Sequence, residues 1–280
     1  MRRRIHIVAI AALIASGLAW GLFTGNASAQ APSIWTDVMG KKKLTSCIVP
    51  SYQPYSWKDQ DGKWQGFVAE MARNVAGAMH VDLDFVETSF KTVVLDLQSG
   101  KCDVFFGFNA TPERALAIDF AGPLYTLGFI FINRNGWTPP GPGWADYNKP
   151  EIRICYPLGT SMEQQAKRWD PKATLIALGS TDECLLAVQS GRADAYLAAT
   201  LDGLVAKHKN PQVGTLTFPQ PSYALPSYAG MRLDADSRFQ KFMQRWSEYN
   251  RANGNITEWL IAALEQYGIP RDSLPKDIQF

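Results

Sequence analysis

The sequence predicts an α/β protein of two lobes, each a mostly parallel sheet with flanking helices, joined by two crossing strands. Three observations carry this expectation. A β-α-β-α-β order runs over residues 44–106 and returns over residues 151–198. Between them Gly136-Trp-Thr-Pro-Pro-Gly-Pro-Gly143 excludes regular structure and marks a break. After the second unit, residues 223–231 read as extended again, which brings the chain back to the first lobe. The length of 280 residues suits one large or two medium domains. With 46% hydrophobic residues, 19% charged residues and a formal charge of +2, the chain is neither a disordered segment nor a dedicated nucleic-acid binder. Lys41-Lys42-Lys43, the basic run beyond the N-terminus, reads as a solvated element end.

The chain opens on Arg2-Arg3-Arg4, an apolar run over residues 5–23 and Ala27-Ser28-Ala29. These are the three regions of a secretory signal peptide, so residues 1–29 are expected to be removed after Ala29. An uncleaved anchor is the rival, because about 18 apolar residues can span a bilayer. Residues 44–49 form the first strand, followed by an aromatic loop with Tyr52, Pro54, Tyr55 and Trp57 and a reversal at Asp59-Gln-Asp-Gly62. Phe67, Met71, Val75 and Ala78 recur at helical spacing. Residues 81–86 alternate as a strand, and residues 89–98 are a helix with Val93, Val94 and Leu97 inward and Gly100 as its C-cap.

The next stretch concentrates the chemistry. Residues 104–106 are a buried strand, expected to open into a small-residue turn at Gly107 and Asn109. Thr111-Pro-Glu-Arg114 is a helix start, with Thr at the cap and Pro at the first helical position. Backbone N–H groups there suit an anion, and Arg114 can fork onto a carboxylate. The bland alternative is a surface pair of Arg114 with Glu113 or Asp119, worth little. Loops at strand carboxyl ends are where parallel sheets bind ligands, and Tyr52, Trp57 and Gly107–Asn109 are all placed there.

A strand over residues 128–133 precedes the break. In the second unit, strands are expected at 151–156, 173–178 and 193–198, with helices at 162–169 and 181–190. Pro157-Leu-Gly-Thr-Ser161 turns into the first of these helices, which Thr160 and Ser161 are expected to cap. A helix near 201–208 and two amphipathic helices at 238–251 and 256–267 complete the chain. Phe239, Phe242, Met243 and Trp246 read as core. Cys47, Cys102, Cys155 and Cys184 allow three connectivities. Their order suggests Cys47 with Cys102 and Cys155 with Cys184, the alternative being buried thiols. His6, His80 and His208 are scattered, and neither a metal site nor a catalytic triad can be assembled.

Seven motifs in register resemble the periplasmic solute-binding proteins of polar amino-acid ABC transporters, the family-3 type. They are Pro54-Tyr55, Trp64-Gln-Gly66-Phe67, Leu97-Gln-Ser-Gly100-Lys-Cys-Asp103, Thr111-Pro-Glu-Arg114, Asp119-Phe-Ala-Gly-Pro-Leu-Tyr125, Gly159-Thr160-Ser161 and Gln189-Ser-Gly191-Arg-Ala-Asp194. The resemblance implies a type II periplasmic binding protein fold that closes on its ligand like a clamshell. One lobe would comprise residues 40–132 and 228–280 and the other 133–227, with crossings near 128–136 and 223–231. It gives Arg114 the ligand carboxylate, Thr160 and Ser161 further donors, Tyr52 an aromatic wall, and Phe106, Gly107, Phe108 and Asn109 the cleft floor. Trp57, Pro157 and Thr200 complete the expected ligand-binding set.

The family usually holds the ligand ammonium with an Asp where this chain has Ala199, and with a Ser where it has Asn109; another Ser is replaced by Gly107. Either the ligand lacks an α-ammonium or Asp202 moves in to serve. The expected function is capture of a small carboxylate-bearing solute, an amino acid or an amino-free organic or aromatic acid, for an inner-membrane ABC permease. The protein is expected to be a periplasmic monomer, without cofactor, metal, nucleic acid or catalysis. The alternative is a periplasmic cyclohexadienyl (prephenate/arogenate) dehydratase on the same fold, with Glu163 as its general acid.

Overall fold

The computed structural model describes residues 32–274. All the elements belong to the unit that begins at Ser33. The signal-peptide reading, with cleavage after Ala29, lies outside the described residues.

The first element, α1 (Ile34–Lys41), is one the sequence reading does not assign. Ser33 Oγ accepts the Thr36 N–H at 3.1 Å as its cap, and Lys41 pairs with Asp37 one turn away. Next come β1 (Lys43–Ile48), the hairpin β2 (Trp57–Lys58) and β3 (Trp64–Gln65), and α2 (Phe67–Met79). Asp59 makes the hairpin reversal by accepting the N–H groups of Asp61 and Lys63. Helix α2 buries Phe67, Met71 and Val75 completely, while Ala78 is exposed and Met79 takes the last core position. Then follow β4 (Asp82–Glu87), α3 (Val93–Gln98), β5 (Val104–Asn109), α4 (Pro112–Ala115) and β6 (Ile118–Asn133).

The second unit runs α5 (Trp144–Tyr147), β7 (Arg153–Pro157), α6 (Ser161–Trp169), β8 (Thr174–Leu178), α7 (Thr181–Gln189), β9 (Ala195–Ala199) and α8 (Thr200–Lys209). Short β10 (Leu216–Thr217), β11 (Ala224–Arg232), α9 (Arg238–Ala252) and α10 (Asn255–Glu265) close the fold. This is a two-lobed α/β protein whose strands lie in the order β4-β1-β5-β11-β6-β9-β7-β8, with β10 beside β6. The triplets β4-β1-β5 and β8-β7-β9 are each parallel, and β11 and β6 run antiparallel between them. Strand β6, 16 residues long, pairs with β11 over its first part and with β9 and β10 over its last five residues.

The two units repeat one local device. Gln98-Ser-Gly-Lys-Cys-Asp103 and Gln189-Ser-Gly-Arg-Ala-Asp194 each end a helix on a left-handed glycine, Gly100 or Gly191. Each then aims its Asp at the strand beside it: Asp103 accepts the Thr45 N–H at 2.8 Å and Asp194 the Arg153 N–H at 3.1 Å. Asp194 is further held by Arg153 at 2.7 Å and Arg134 at 3.3 Å. These acids are scaffold at the amino ends of β1 and β7.

Two expectations are corrected. Strand β5 does not open into a turn at Gly107; it continues to Asn109 because β11 satisfies its backbone, pairing Phe108 with Tyr228 and Asn109 with Ser227. A register shift falls between Tyr228 and Ala229, opposite Gly107. Gly107 has φ +116°, and a Cβ there would meet the Tyr125 hydroxyl at 2.8 Å. The cysteine pairing holds in one lobe only. Cys47 on β1 and Cys102 ahead of β5 form a disulfide, whereas Cys155 and Cys184 are buried thiols. The Cys155 thiol reaches the Cys184 carbonyl at 3.5 Å, and both pack as small apolar groups with Ile130, Ile132 and Val188.

One buried group has no partner. Asp170, at the end of α6, is fully buried and neither carboxyl oxygen is hydrogen-bonded within the described residues. Burial pushes its pKa up to about 7. Between the ordinary carboxyl value of about 4 and that value, the folded chain keeps this proton and the unfolded chain has lost it. Stability from this group therefore falls as pH rises through that window. Thermal melts are expected to show a lower melting temperature at pH 8 than at pH 5, with a smaller difference in Asp170→Asn. For the cysteines, thiol titration in denaturant without reductant is expected to count Cys155 and Cys184 alone. Replacing Cys47 and Cys102 by Ser, which opens a loop with a sequence separation of 55, should cost about 4 kcal/mol in urea unfolding.

Candidate ligand-binding site

The carboxyl ends of β1, β5 and β7 and the N-terminus of α6 meet around a small cavity of about 20 Å³, room for about one water. Arg114 governs it. Thr111 caps α4 by accepting the Arg114 N–H at 3.3 Å, and Pro112 takes the first helical position, as the sequence predicts. The guanidinium is not on the surface with Glu113 or Asp119. It donates to the Asn109 carbonyl at 2.9 Å and, from the first unit to the second, to the Gly159 carbonyl at 2.8 Å. Its Cζ lies 5.2 Å from the centre of the Phe108 ring. Burial lowers its pKa, which Glu113 opposes. No carboxylate among the described residues is within ion-pair distance of it.

The walls are aromatic. Tyr52 stacks on Tyr55 with centroids 4.3 Å apart and meets Phe90 edge-on at 5.0 Å. Burial, then the field of Asp202, raises the Tyr52 pKa, so its hydroxyl stays protonated. Asn109 spends its amide N–H on the Pro226 carbonyl at 3.1 Å and the Ser227 hydroxyl at 3.4 Å, tying the floor to β11. Gly159, at φ +79°, passes so close to the loop before α3 that a Cβ would meet the Phe90 carbonyl at 2.8 Å. Thr181 adds a second bridge between the units by donating to the Ser51 carbonyl at 3.3 Å.

Of the expected residues, Tyr52, Gly107, Phe108, Asn109, Arg114, Thr160 and Ser161 come together around this cavity. Trp57 does not. Pairing of β2 with β3 carries its ring to Tyr267, 4.9 Å away. Phe106 points to the opposite face of β5 from Phe105 and packs edge-on against Trp246. Pro157 serves through its carbonyl, which accepts the Thr160 hydroxyl at 2.6 Å. Thr200 packs at the crossing strand against Gly128. Neither Thr160 nor Ser161 caps α6 with its side chain. Phe90, Phe105, Leu127, Gly159 and Met162, outside the expected set, also line the cavity. Phe90 falls in the expected helix over residues 89–98, which in the structure begins only at Val93.

Glu163 and Asp202 both have partners of their own. Glu163 accepts the Gly159 N–H at 2.8 Å and the Lys167 ammonium at 2.6 Å. Burial acts to raise its pKa, but these hydrogen bonds outweigh it and hold the carboxyl below its ordinary value. Asp202 does not move into the place of Ala199. It accepts the Tyr196 hydroxyl at 2.6 Å and lines a separate cavity of about 380 Å³ beside Gln53, Asp182 and Lys209. Burial pushes its pKa up to about 7. Among the described residues no His, Cys, Asp and Glu cluster could hold a metal ion, and no helix is long and apolar enough to cross a membrane.

The sequence profile of the bacterial extracellular solute-binding proteins, family 3, matches residues 44–248. A probable histidine-binding protein of Campylobacter jejuni is 28% identical over 59% of this chain and 62% of its own length. An arginine-binding extracellular protein of Bacillus subtilis is 25% identical over 60% of this chain. The matches span just under two thirds of these relatives, 62% and 64%. A cyclohexadienyl dehydratase of Pseudomonas aeruginosa is 21% identical over 94% of this chain and 95% of its own. Among solved structures, an ancestral amino acid-binding protein described as a precursor of cyclohexadienyl dehydratase superposes with a TM-score of 0.73 at 26% identity, covering 81% of this chain and 97% of that one. An L-arginine-bound substrate-binding protein of Streptococcus pneumoniae shares the fold, with a TM-score of 0.73 at 21% identity over 82% and 98% of the two chains. The two-lobed architecture and the profile over most of its length place this chain in family 3 of the bacterial extracellular solute-binding proteins.

Proposed function

We propose that the protein captures a small carboxylate-bearing solute between its lobes and delivers it to an inner-membrane ABC permease. The observation that carries this reading is Arg114. Among the described residues it is a half-buried guanidinium without a carboxylate partner, two of its N–H donors being used, both by carbonyls. A guanidinium in that setting is matched by a bidentate carboxylate. The lobes are taken as residues 40–132 with 228–280, and 133–227, hinged where β6 and β11 cross. Closure brings Gly159 against Phe90 and Arg114, contacts made only when the lobes meet. The protein works as a periplasmic monomer after removal of residues 1–29, and the Cys47–Cys102 bridge suits an oxidising compartment.

The dehydratase relative does not shift this reading to catalysis. A general acid must hold a proton near neutrality, and Glu163 is kept ionised by Lys167 and the Gly159 N–H.

Mass spectrometry of the purified protein is expected to identify a co-purifying acid, which then serves as the titrant. Arg114→Ala should weaken its binding by calorimetry at least ~100-fold, the loss of about 3 kcal/mol from paired charge-assisted hydrogen bonds. Wild-type affinity in this variant refutes the assignment. Gly159→Ala, whose Cβ would press on the Phe90 carbonyl, should weaken the same acid at least ~10-fold. Small-angle scattering should then show a larger radius of gyration with the acid present than wild type does.

A further inference from the structure

We infer that the solute carries no α-ammonium: the cleft is built for a net anion, an amino-free carboxylate with an apolar body. The inference rests on the carboxylate reading of Arg114 and concerns what stands opposite it.

The first argument is charge balance. Among the described residues, Arg114 is the only formally charged side chain lining the cavity. An amino-free carboxylate neutralises it. A zwitterion does so too, but brings an ammonium into the same confined space with no acid among the described lining residues to receive it. Two nearby acids have other partners. Glu163 is held by the Gly159 N–H and Lys167, and Asp202 by the Tyr196 hydroxyl beside a different cavity.

The second argument concerns neutral acceptors. The Thr160 hydroxyl donates to the Pro157 carbonyl, and the Asn109 amide N–H groups are spent on β11. The oxygens of these side chains can accept a hydrogen bond from an ammonium, but they cannot cancel its charge, and a desolvated cation without a counter-charge is penalised heavily. The third argument is the wall. Tyr52, Phe90, Phe105, Phe108, Leu127 and Met162 offer rings and aliphatic groups to the rest of the solute. Such a wall rewards an apolar body; its ring faces attract a cation but supply no counter-charge to neutralise an ammonium.

The test compares matched pairs by calorimetry on protein stripped of co-purified solute by unfolding and refolding. The pairs are 3-phenylpropionate with L-phenylalanine, 4-methylpentanoate with L-leucine, and 3-(imidazol-4-yl)propionate with L-histidine. For the pair with the tighter binding, the amino-free acid is expected to bind at least ~30-fold more tightly than the amino acid. Equal or tighter binding of the amino acid overturns the inference, as does silence from every acid in both series. Arg114→Ala separates the two levels. If an amino acid binds and the variant abolishes it, the carboxylate reading survives and the ammonium inference fails. If the variant leaves binding of the preferred acid unchanged, the carboxylate reading itself fails.

Discussion

Backbone hydrogen bonding along β6 is the constraint on which the rest of the structure depends. Its first residues pair with β11 in the sheet of one unit, and Phe129–Asn133 pair with β9 of the other. An open sheet edge in the middle of the molecule would leave a row of unpaired N–H and C=O groups. The continuous strand avoids this and fixes where the second triplet starts relative to the first. Strand β11 then lies between β5 and β6 and holds Asn109 through the Pro226 carbonyl. The floor of the cleft is thus pinned by the same pair of strands that joins the units. The cavity walls come from the loops that those strands leave free.

Much of this was legible because it rests on periodicity and on short local signals. Helix α2 spans Phe67–Met79, where the apolar spacing of Phe67, Met71 and Val75 places it, and Thr111-Pro112 starts α4 as read. The failures come where partners distant in sequence decide. Nothing local says that β11 will pair with Gly107–Asn109, so a strand was read as a turn. Trp57 is as aromatic as Tyr52, but pairing of β2 with β3 sends it to Tyr267. Phe90 reads as part of a helix over residues 89–98, but α3 begins only at Val93 and the loop carrying Phe90 meets Gly159. The second cysteine pair shows the same limit, because sequence order cannot separate a bridge from two packed thiols.

The two units solve one problem twice with different electrostatics. Asp103 and Asp194 occupy the same place in the repeated Gln-Ser-Gly-x-x-Asp device and accept the same kind of backbone donor. Asp194 has two arginines, and its pKa falls below the ordinary value against the opposing effect of burial. Burial dominates at Asp103 and pushes it up to about 6. The hydrogen bond fixes the strand in both cases, and the charge follows from the neighbours that each lobe supplies. A shared motif therefore does not carry a shared ionisation behaviour.

The contact between Arg114 and the Gly159 carbonyl also works as a latch. Arg114, which the proposed function gives to the solute carboxylate, joins the two units through that carbonyl. A solute that takes the guanidinium over entirely exchanges one partner for another. Measured affinity is then the difference between two bonds, with the self-contact setting the zero. A solute that uses only the remaining N–H donors leaves the latch in place and adds to it. Two acids with the same carboxylate can thus differ in affinity by how they approach one arginine, with no change in the wall that touches the rest of them.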